Sequence, residues 1–276
     1  MYRLLNIEFQ KLWTNKASRV LIILSFLLPF TIASITSIKI DLGFVKLDPS
    51  QYGIFNFPFI WHWNTYFASS FKLFFALVAM GMISNEYSNR TLKQNLIDGL
   101  SKKEFILSKF LIIVVYSFIA TVGVFIMSLI IGLIYSSYTE FSIIMTDIIF
   151  LFAYFLKLIA FFSLCLFVTM LVKRSIFSIG ILLLWSAIEW IVYANIRWDE
   201  GVDRYQLAEN VTQFFPLMSM YNLIEQPLIR YGQKISPQEI TMGYNYAVHW
   251  QEIIIVLVWT AIFIFLSYRL LKKRDL

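Results

Sequence analysis

Residues 85–109 read NEYSNRTLKQNLIDGLSKKEFILSK and form a polar stretch between two strongly apolar segments. Thr91 and Gln94 match the T-x-x-Q capping box, in which each residue satisfies a backbone N–H group of the other at a helix start. The spacing therefore predicts a helix that begins near residue 91. Its apolar residues are predicted to share one face: Leu92, Leu96, Ile97 and Leu100.

A turn is predicted directly after this helix. Gly99 is expected to end the helix, because glycine adopts the left-handed cap conformation at no steric cost. Ser101 and Glu104 form a second capping box, S-x-x-E, which predicts the start of the next helix. The polar face of the first helix carries Arg90, Lys93 and Asp98. An amphipathic helix held between two such caps is predicted to fit a groove on another protein.

The composition is that of an integral membrane protein. Hydrophobic residues make up 59% of the 276 residues and charged residues only 14%, whereas soluble domains have about half and about a quarter. Several apolar runs exceed the roughly 20 residues that a helix needs to cross a bilayer. The net charge of +6 lies in short connections beside apolar runs, so it predicts membrane orientation rather than a nucleic-acid partner.

Hydropathy predicts an all-α polytopic fold, a single domain over residues 1–276 with six transmembrane helices. The predicted spans are 20–38, 59–84, 105–135, 144–172, 175–195 and 250–270. Lysine and arginine are concentrated in alternate connections, at 3–19, 90–109, 173–174 and 269–274. Because basic residues mark the cytoplasmic side, both termini and the 85–104 element are predicted to be cytoplasmic, with the chain in the inner (plasma) membrane.

Two segments outside the spans have predictions of their own. In residues 1–19, four apolar residues at helical spacing predict an interfacial helix in the inner headgroup layer: Leu5, Phe9, Leu12 and Trp13. A signal peptide is the alternative, but no convincing small-residue cleavage site follows the apolar region. Residues 196–249 are too polar for a span, and their proline-broken apolar stretches predict short outer helices that cap or re-enter the outer leaflet.

Three charged residues lie inside the predicted spans. Counted from the turn at 173–174, Lys157 and Glu189 each lie about 23 Å from the inner surface, at about 1.5 Å per residue. An isolated charge is costly there, and spans four and five should be antiparallel neighbours, so the two residues are predicted to pair or to face a water-filled cavity. Snorkelling to the outer interface is the alternative. Lys72 reaches a similar depth and would compete for Glu189 or line a path for an anionic headgroup.

The sequence contains no recognisable catalytic constellation. No segment matches a phosphate loop, a dinucleotide-binding turn, a metalloprotease helix or a nucleophile elbow. Cys165 is the single cysteine, so neither an intrachain disulfide nor a cysteine metal site is expected. The prediction is a chain that is not an enzyme and has no metal site, with any nucleotide chemistry on another chain.

The motif residues are Glu86, Arg90-Thr91-Leu92, Asp98-Gly99-Leu100-Ser101 and Lys109. With them the chain resembles the permease subunits of ATP-binding-cassette (ABC) transporters of the type-two exporter class. In that family a glutamate closes span two, an R-T-L turn leads into a coupling helix, and a G-[LF]-[SR] turn and a lysine follow at the foot of span three. Glu8 and Lys11 resemble the E-x-x-K feature of the family's N-terminal helix.

The resemblance implies partners and a function. It implies a permease dimer and a cytosolic ABC ATPase that binds ATP and magnesium, with no cofactor on this chain, and ATP-driven export of an unidentified substrate. The implied ATPase-docking residues are Glu86, Arg90, Thr91, Leu92, Leu96, Ile97, Asp98, Gly99 and Leu100. Two other classes stay open: a membrane anchor or assembly component of an ATPase-driven machine, and an ion-coupled secondary transporter that uses the charges inside the spans.

Overall fold

The computed structural model of the chain describes residues 2–37, 40–41, 46–47, 53–198, 204–228, 230 and 246–274. Almost all described residues are in helices, with one small antiparallel β-ribbon in which Ile40 is opposite Leu47. The elements are α1 Tyr2–Thr14, α2 Lys16–Ser37, β1 Ile40–Asp41, β2 Lys46–Leu47, α3 Phe59–Ser70, α4 Lys72–Ser88, α5 Thr91–Ile97, α6 Lys102–Tyr135, α7 Phe141–Met145, α8 Ile149–Val172, α9 Ser175–Arg197, α10 Tyr205–Thr212, α11 Pro216–Asn222 and α12 Trp250–Lys273.

The described residues contain five helices that are long and apolar enough to cross a membrane, and six spans if the bent pair α3–α4 counts as one. The axes of α3 and α4 differ by 42°, with the break at Phe71. The other spans are formed by α2, α6, α7 with α8, α9 and α12. The predicted fold class, an all-helical multi-pass membrane protein, is confirmed.

The core of the bundle is built around α8. Most of its side chains are buried, and α4, α6, α9 and α12 pack against it. Aromatic contacts connect α8 to its neighbours. The ring centroid of Phe162 in α8 lies 4.9 Å from that of Phe75 in α4 and 5.7 Å from that of Tyr116 in α6. In a bilayer such close packing and interhelical hydrogen bonds, rather than apolar burial, drive helix association. By contrast, α2 and α9 leave most of their apolar surface uncovered.

Helix ends near the base of the bundle are held by specific polar groups. The side chain of Asn15 accepts hydrogen bonds from the N–H groups of Ala17 and Ser18 at the start of α2, at 3.0 and 3.4 Å. At the end of α8, the Arg274 guanidinium donates to the carbonyl of Met170 at 2.7 Å. These contacts satisfy backbone groups that a helix end otherwise leaves without partners.

Helix α1, which is predicted to be an interfacial helix, is shorter than predicted, and its four apolar residues do not share one environment. It ends at Thr14, and residues 16–19 belong to α2, because Asn15 caps a new helix there. Leu5 and Leu12 pack on the bundle, whereas Phe9 and Trp13 are exposed. The four residues therefore do not form one membrane-facing stripe.

The segment between α9 and α12 contains the two short helices α10 and α11, in agreement with the prediction of short helices between spans five and six. Helix α11 packs against α8, α9 and α12. Residues 199–203, 229 and 231–245 of this segment lie outside the described residues.

Candidate functional site

The short helix α5 lies between the ends of α4 and α6 but begins differently from the prediction. Its N-cap is Arg90, which adopts a left-handed conformation at φ 56° and makes no side-chain capping bond. Thr91 is already the first residue of the helix, so its side chain is not in the extended cap position that a capping box requires. The predicted box between Thr91 and Gln94 is therefore wrong, although the helix begins at the predicted residue.

The turn after α5 is formed as predicted. Gly99 has φ +96°, a conformation that side-chain-bearing residues rarely adopt. The Ser101 hydroxyl accepts from the Glu104 N–H at 3.1 Å, and the Glu104 carboxylate accepts from the Ser101 N–H at 2.9 Å. Both halves of the second capping box are present, and they start α6 at Lys102.

The apolar residues of α5 are divided between two environments. Leu92 is only 2% exposed, and Leu96 and Leu100 pack against the same core. Ile97 is 74% exposed and points away from it. The spacing predicts one shared face, with Leu96 and Ile97 docking on the partner or, as the alternative, with the leucines packing against the protein's own spans. In the structure Leu92, Leu96 and Leu100 anchor the element to its own bundle, and Ile97 is left as its exposed apolar residue.

Four charged residues meet beside the base of α5 and are here called the basal ionic cluster: Glu8, Lys11, Glu86 and Lys109. Lys109 of α6 has a fully buried side chain and donates to Glu8 of α1 at 2.6 Å and to Glu86 of α4. Lys11 reaches the same carboxylates, Glu86 at 3.2 Å and Glu8 at 3.5 Å. The cluster therefore joins α1, α4 and α6 through side-chain ion pairs.

The charges of the basal ionic cluster balance, since two carboxylates face two ammonium groups. Burial lowers the pKa of Lys11, but the carboxylates of Glu8 and Glu86 outweigh it and hold the pKa above its usual value. Removing one member of such a buried network leaves an uncompensated charge, which is strongly destabilising. The three helices are thus fixed to one another at this point.

The motifs in the sequence contain these four residues separately and do not by themselves predict that they meet. The available signal was that carboxylates and lysines of opposite charge occur at the same ends of three predicted helices. Such charges are costly near a bilayer unless they are paired. Their pairing could have been proposed on that ground.

The predicted pair between Lys157 and Glu189 is not formed. Glu189 accepts from the backbone N–H groups of Leu217 and Met218 at 3.0 and 2.8 Å, at the start of α11. Lys157 donates to the carbonyl of Tyr221 at 3.4 Å. Helix α11 therefore binds both charged side chains, because its free N–H groups suit a carboxylate and its carbonyls suit an ammonium group.

Lys72 does not pair with Glu189 either, but it lines the same cavity as Lys157 and Glu189. Its ammonium nitrogen lies 4.4 Å from the centroid of the Phe161 ring. Over the described ranges, no group of three or more His, Cys, Asp or Glu side chains is arranged to hold a metal ion.

The comparison with known families decides the class of the chain. The family model described as ABC-2 family transporter protein matches residues 4–276. The chain belongs to the ABC-2 transporter family. It is a transmembrane component of an ABC transporter, and members of this family generally work with a cytosolic ABC ATPase. No curated protein sequence gave a significant match.

Proposed function

We propose that this ABC-2 family chain is a permease that couples ATP hydrolysis by a separate cytosolic ABC ATPase to export of a substrate. The ATPase docks on α5 and carries the ATP and magnesium, and this chain carries neither a cofactor nor a catalytic site. Movement of the ATPase is passed to the spans through the ends of α4 and α6.

The observation that carries this proposal is the basal ionic cluster beside α5. Lys109 connects α6 to α1 and α4 through Glu8 and Glu86, and α5 follows α4 after only two residues. A force on α5 therefore acts on three connected helices rather than on a loop. Rigid elements that move as packed units are the physical basis of such transmission.

The exposed surface of α5 suits a protein partner. Ile97 is an exposed apolar side chain, and its polar neighbours Lys93, Gln94 and Asp98 are exposed as well. A single apolar anchor surrounded by polar residues is typical of an interface hot spot. We propose that Ile97 enters a groove on the ATPase, with Asp98 and Arg90 at its rim.

The orientation and the second subunit are parts of the same proposal. Lysines and arginines cluster at the ends of the bundle that carry α1, α5 and the last turn of α12, which favours a cytoplasmic position for both termini in the inner membrane. Cysteines at Ser101 and Ser137, with Cys165 replaced, should react with an impermeant thiol reagent from opposite sides. Labelling of the Ser101 site from outside intact cells would overturn the orientation.

A second permease copy completes the assembly in this proposal. One face of α9 carries large exposed apolar residues that no element of the chain covers within the described ranges, namely Ile176, Leu184, Ile188 and Ile191. Such a face suits packing against another helix of the same kind as well as against lipid.

The docking proposal is tested by co-purification. A tagged chain carrying Ile97→Asp should lose at least tenfold of the vanadate-sensitive ATP hydrolysis that co-purifies with the wild type, because a carboxylate would be placed in an apolar groove. Ile97→Leu is the matched control and should keep the activity. Retention of the ATPase by a folded Ile97→Asp variant would place the docking face elsewhere.

A further inference from the structure

A cavity of about 520 Å³ lies on the membrane side of the bundle, between α3, α4, α8, α9 and α11. Its volume is within the range of small-molecule binding sites. Leu73, Leu77 and Leu183 form part of its wall and are also exposed on the outside of the bundle. Apolar, exposed side chains therefore form one part of the cavity wall.

The charged groups that line this cavity do not balance one another, and Glu252, whose charge also acts on Lys157, lies outside its wall. Lys72 and Lys157 both line it, and within the described part of the chain no carboxylate lies within 4.0 Å of either ammonium nitrogen. The one carboxylate in the wall, Glu189, is held by the N–H groups of Leu217 and Met218. Two cations thus face one anion that is already satisfied by backbone donors.

Neither lysine is placed to stabilise its own helix. Lys72 is the first residue of α4, at the helix end where the dipole disfavours a cation. Lys157 lies within α8 with only 2% of its surface exposed; it donates a long hydrogen bond to the Tyr221 carbonyl, and its ammonium nitrogen lies 5.7 Å from the centroid of the Tyr221 ring. Like charges in one cavity of low dielectric repel each other. An anion placed between them would remove that repulsion.

We propose that this cavity binds an amphiphile with an anionic headgroup, a phosphate or a carboxylate, and that such a compound is the substrate class of the permease. The headgroup binds between Lys72 and Lys157, because a lysine ammonium is a compact charge that suits phosphate oxygens. The apolar part extends along Leu73, Leu77 and Leu183. This assignment rests on the proposed transport function, although the binding site itself does not require it.

Two sources of such a ligand share this chemistry, an anionic lipid of the bilayer and a non-lipid amphiphile. Binding of radiolabelled dodecyl phosphate to the purified chain in dodecyl maltoside, measured by scintillation proximity, tests the shared chemistry. Unlabelled dodecyl phosphate should compete, and dodecyltrimethylammonium, with the same alkyl chain and a cationic head, should not. Competition by phosphatidylglycerol would identify a lipid source, and its absence a non-lipid one; both results support the site.

Substitutions in the cavity separate a built site from general partitioning. Lys72→Gln and Lys157→Gln should each weaken dodecyl phosphate binding at least tenfold, and Lys72→Arg should retain it. Lys103→Gln is the matched control, since Lys103 lines a separate apolar groove between α6 and α12 and its loss should change nothing. If Lys157→Gln does not fold, Lys72→Gln decides the question.

Wild-type affinity in the folded Lys72→Gln variant, or equal competition by the cationic amphiphile, would overturn the proposal. The binding measurement uses the chain without its ATPase. Loss of ATPase docking in the Ile97 experiment would therefore leave dodecyl phosphate binding unaffected. Failure of dodecyl phosphate to bind would likewise leave the docking result unaffected.

Discussion

Substitution of Lys109 by methionine should destabilise the protein more than any exposed lysine change on the same helix. The Lys109 side chain is completely buried and contacts the carboxylates of Glu8 and Glu86, which are nearly buried themselves. Methionine fills a similar volume but removes the charge. The two carboxylates would then share only Lys11, whose side chain is 41% exposed.

The expected cost follows from this geometry. Removing one partner of a buried ion pair costs about 3–5 kcal/mol, because the remaining charge is left without compensation. For a chain of this size such a loss corresponds to a fall in Tm on the order of 10 °C. Lys103→Met, an exposed change on the same helix, should stay within about 0.5 kcal/mol of the wild type.

Thermal unfolding of the purified protein, followed by the monodisperse fraction in size-exclusion chromatography, measures this difference. A second variant isolates its cause. Adding Glu8→Gln and Glu86→Gln to Lys109→Met removes the uncompensated carboxylates and should recover most of the lost Tm. A Lys109→Met protein with the Tm of Lys103→Met, or a triple variant less stable than the single one, would refute the reasoning.

Two further predictions concern the membrane charges and the turn after α5. Lys157→Glu and Glu189→Lys should each lower the folded yield. The double swap should not restore the yield, because the two residues bind α11 and not each other. A restored yield would show that they are partners. Gly99→Ala should lower the free energy of unfolding by about 1–2 kcal/mol, because Gly99 has a positive φ. Gly81 lies in a helix with open space at its Cβ, so Gly81→Ala should be neutral or should raise the free energy of unfolding by about 0.5–1 kcal/mol. Equal Tm values for the two glycine variants would contradict the assigned turn.

The positions of the spans could be read from the sequence because the bilayer imposes a length and a composition on each of them. The turn at Gly99 and the cap at Ser101 could be read because each depends on a few neighbouring residues. These local signals agree with the structure at α5 and α6.

The remaining features depend on contacts between distant parts of the chain. The start of α5 differs because Arg90 leaves α4 in a left-handed conformation, which spacing alone does not reveal. Glu189 has a different partner than predicted because α11 brings backbone donors to it, and the fold of residues 196–249 could not be derived from hydropathy. The basal ionic cluster required knowledge of which helix ends lie together, although its charges were visible in the sequence.

The coupling of ATP hydrolysis to movement of the spans is tested most directly at the cavity wall. A cysteine introduced at Leu183, in a chain with Cys165 replaced by alanine, reports the accessibility of that wall. In proteoliposomes that contain the ATPase complex, ATP and magnesium should change its rate of maleimide labelling several-fold, and Ile97→Asp should abolish the change. An unchanged rate while the complex hydrolyses ATP would contradict coupling and would favour a membrane anchor.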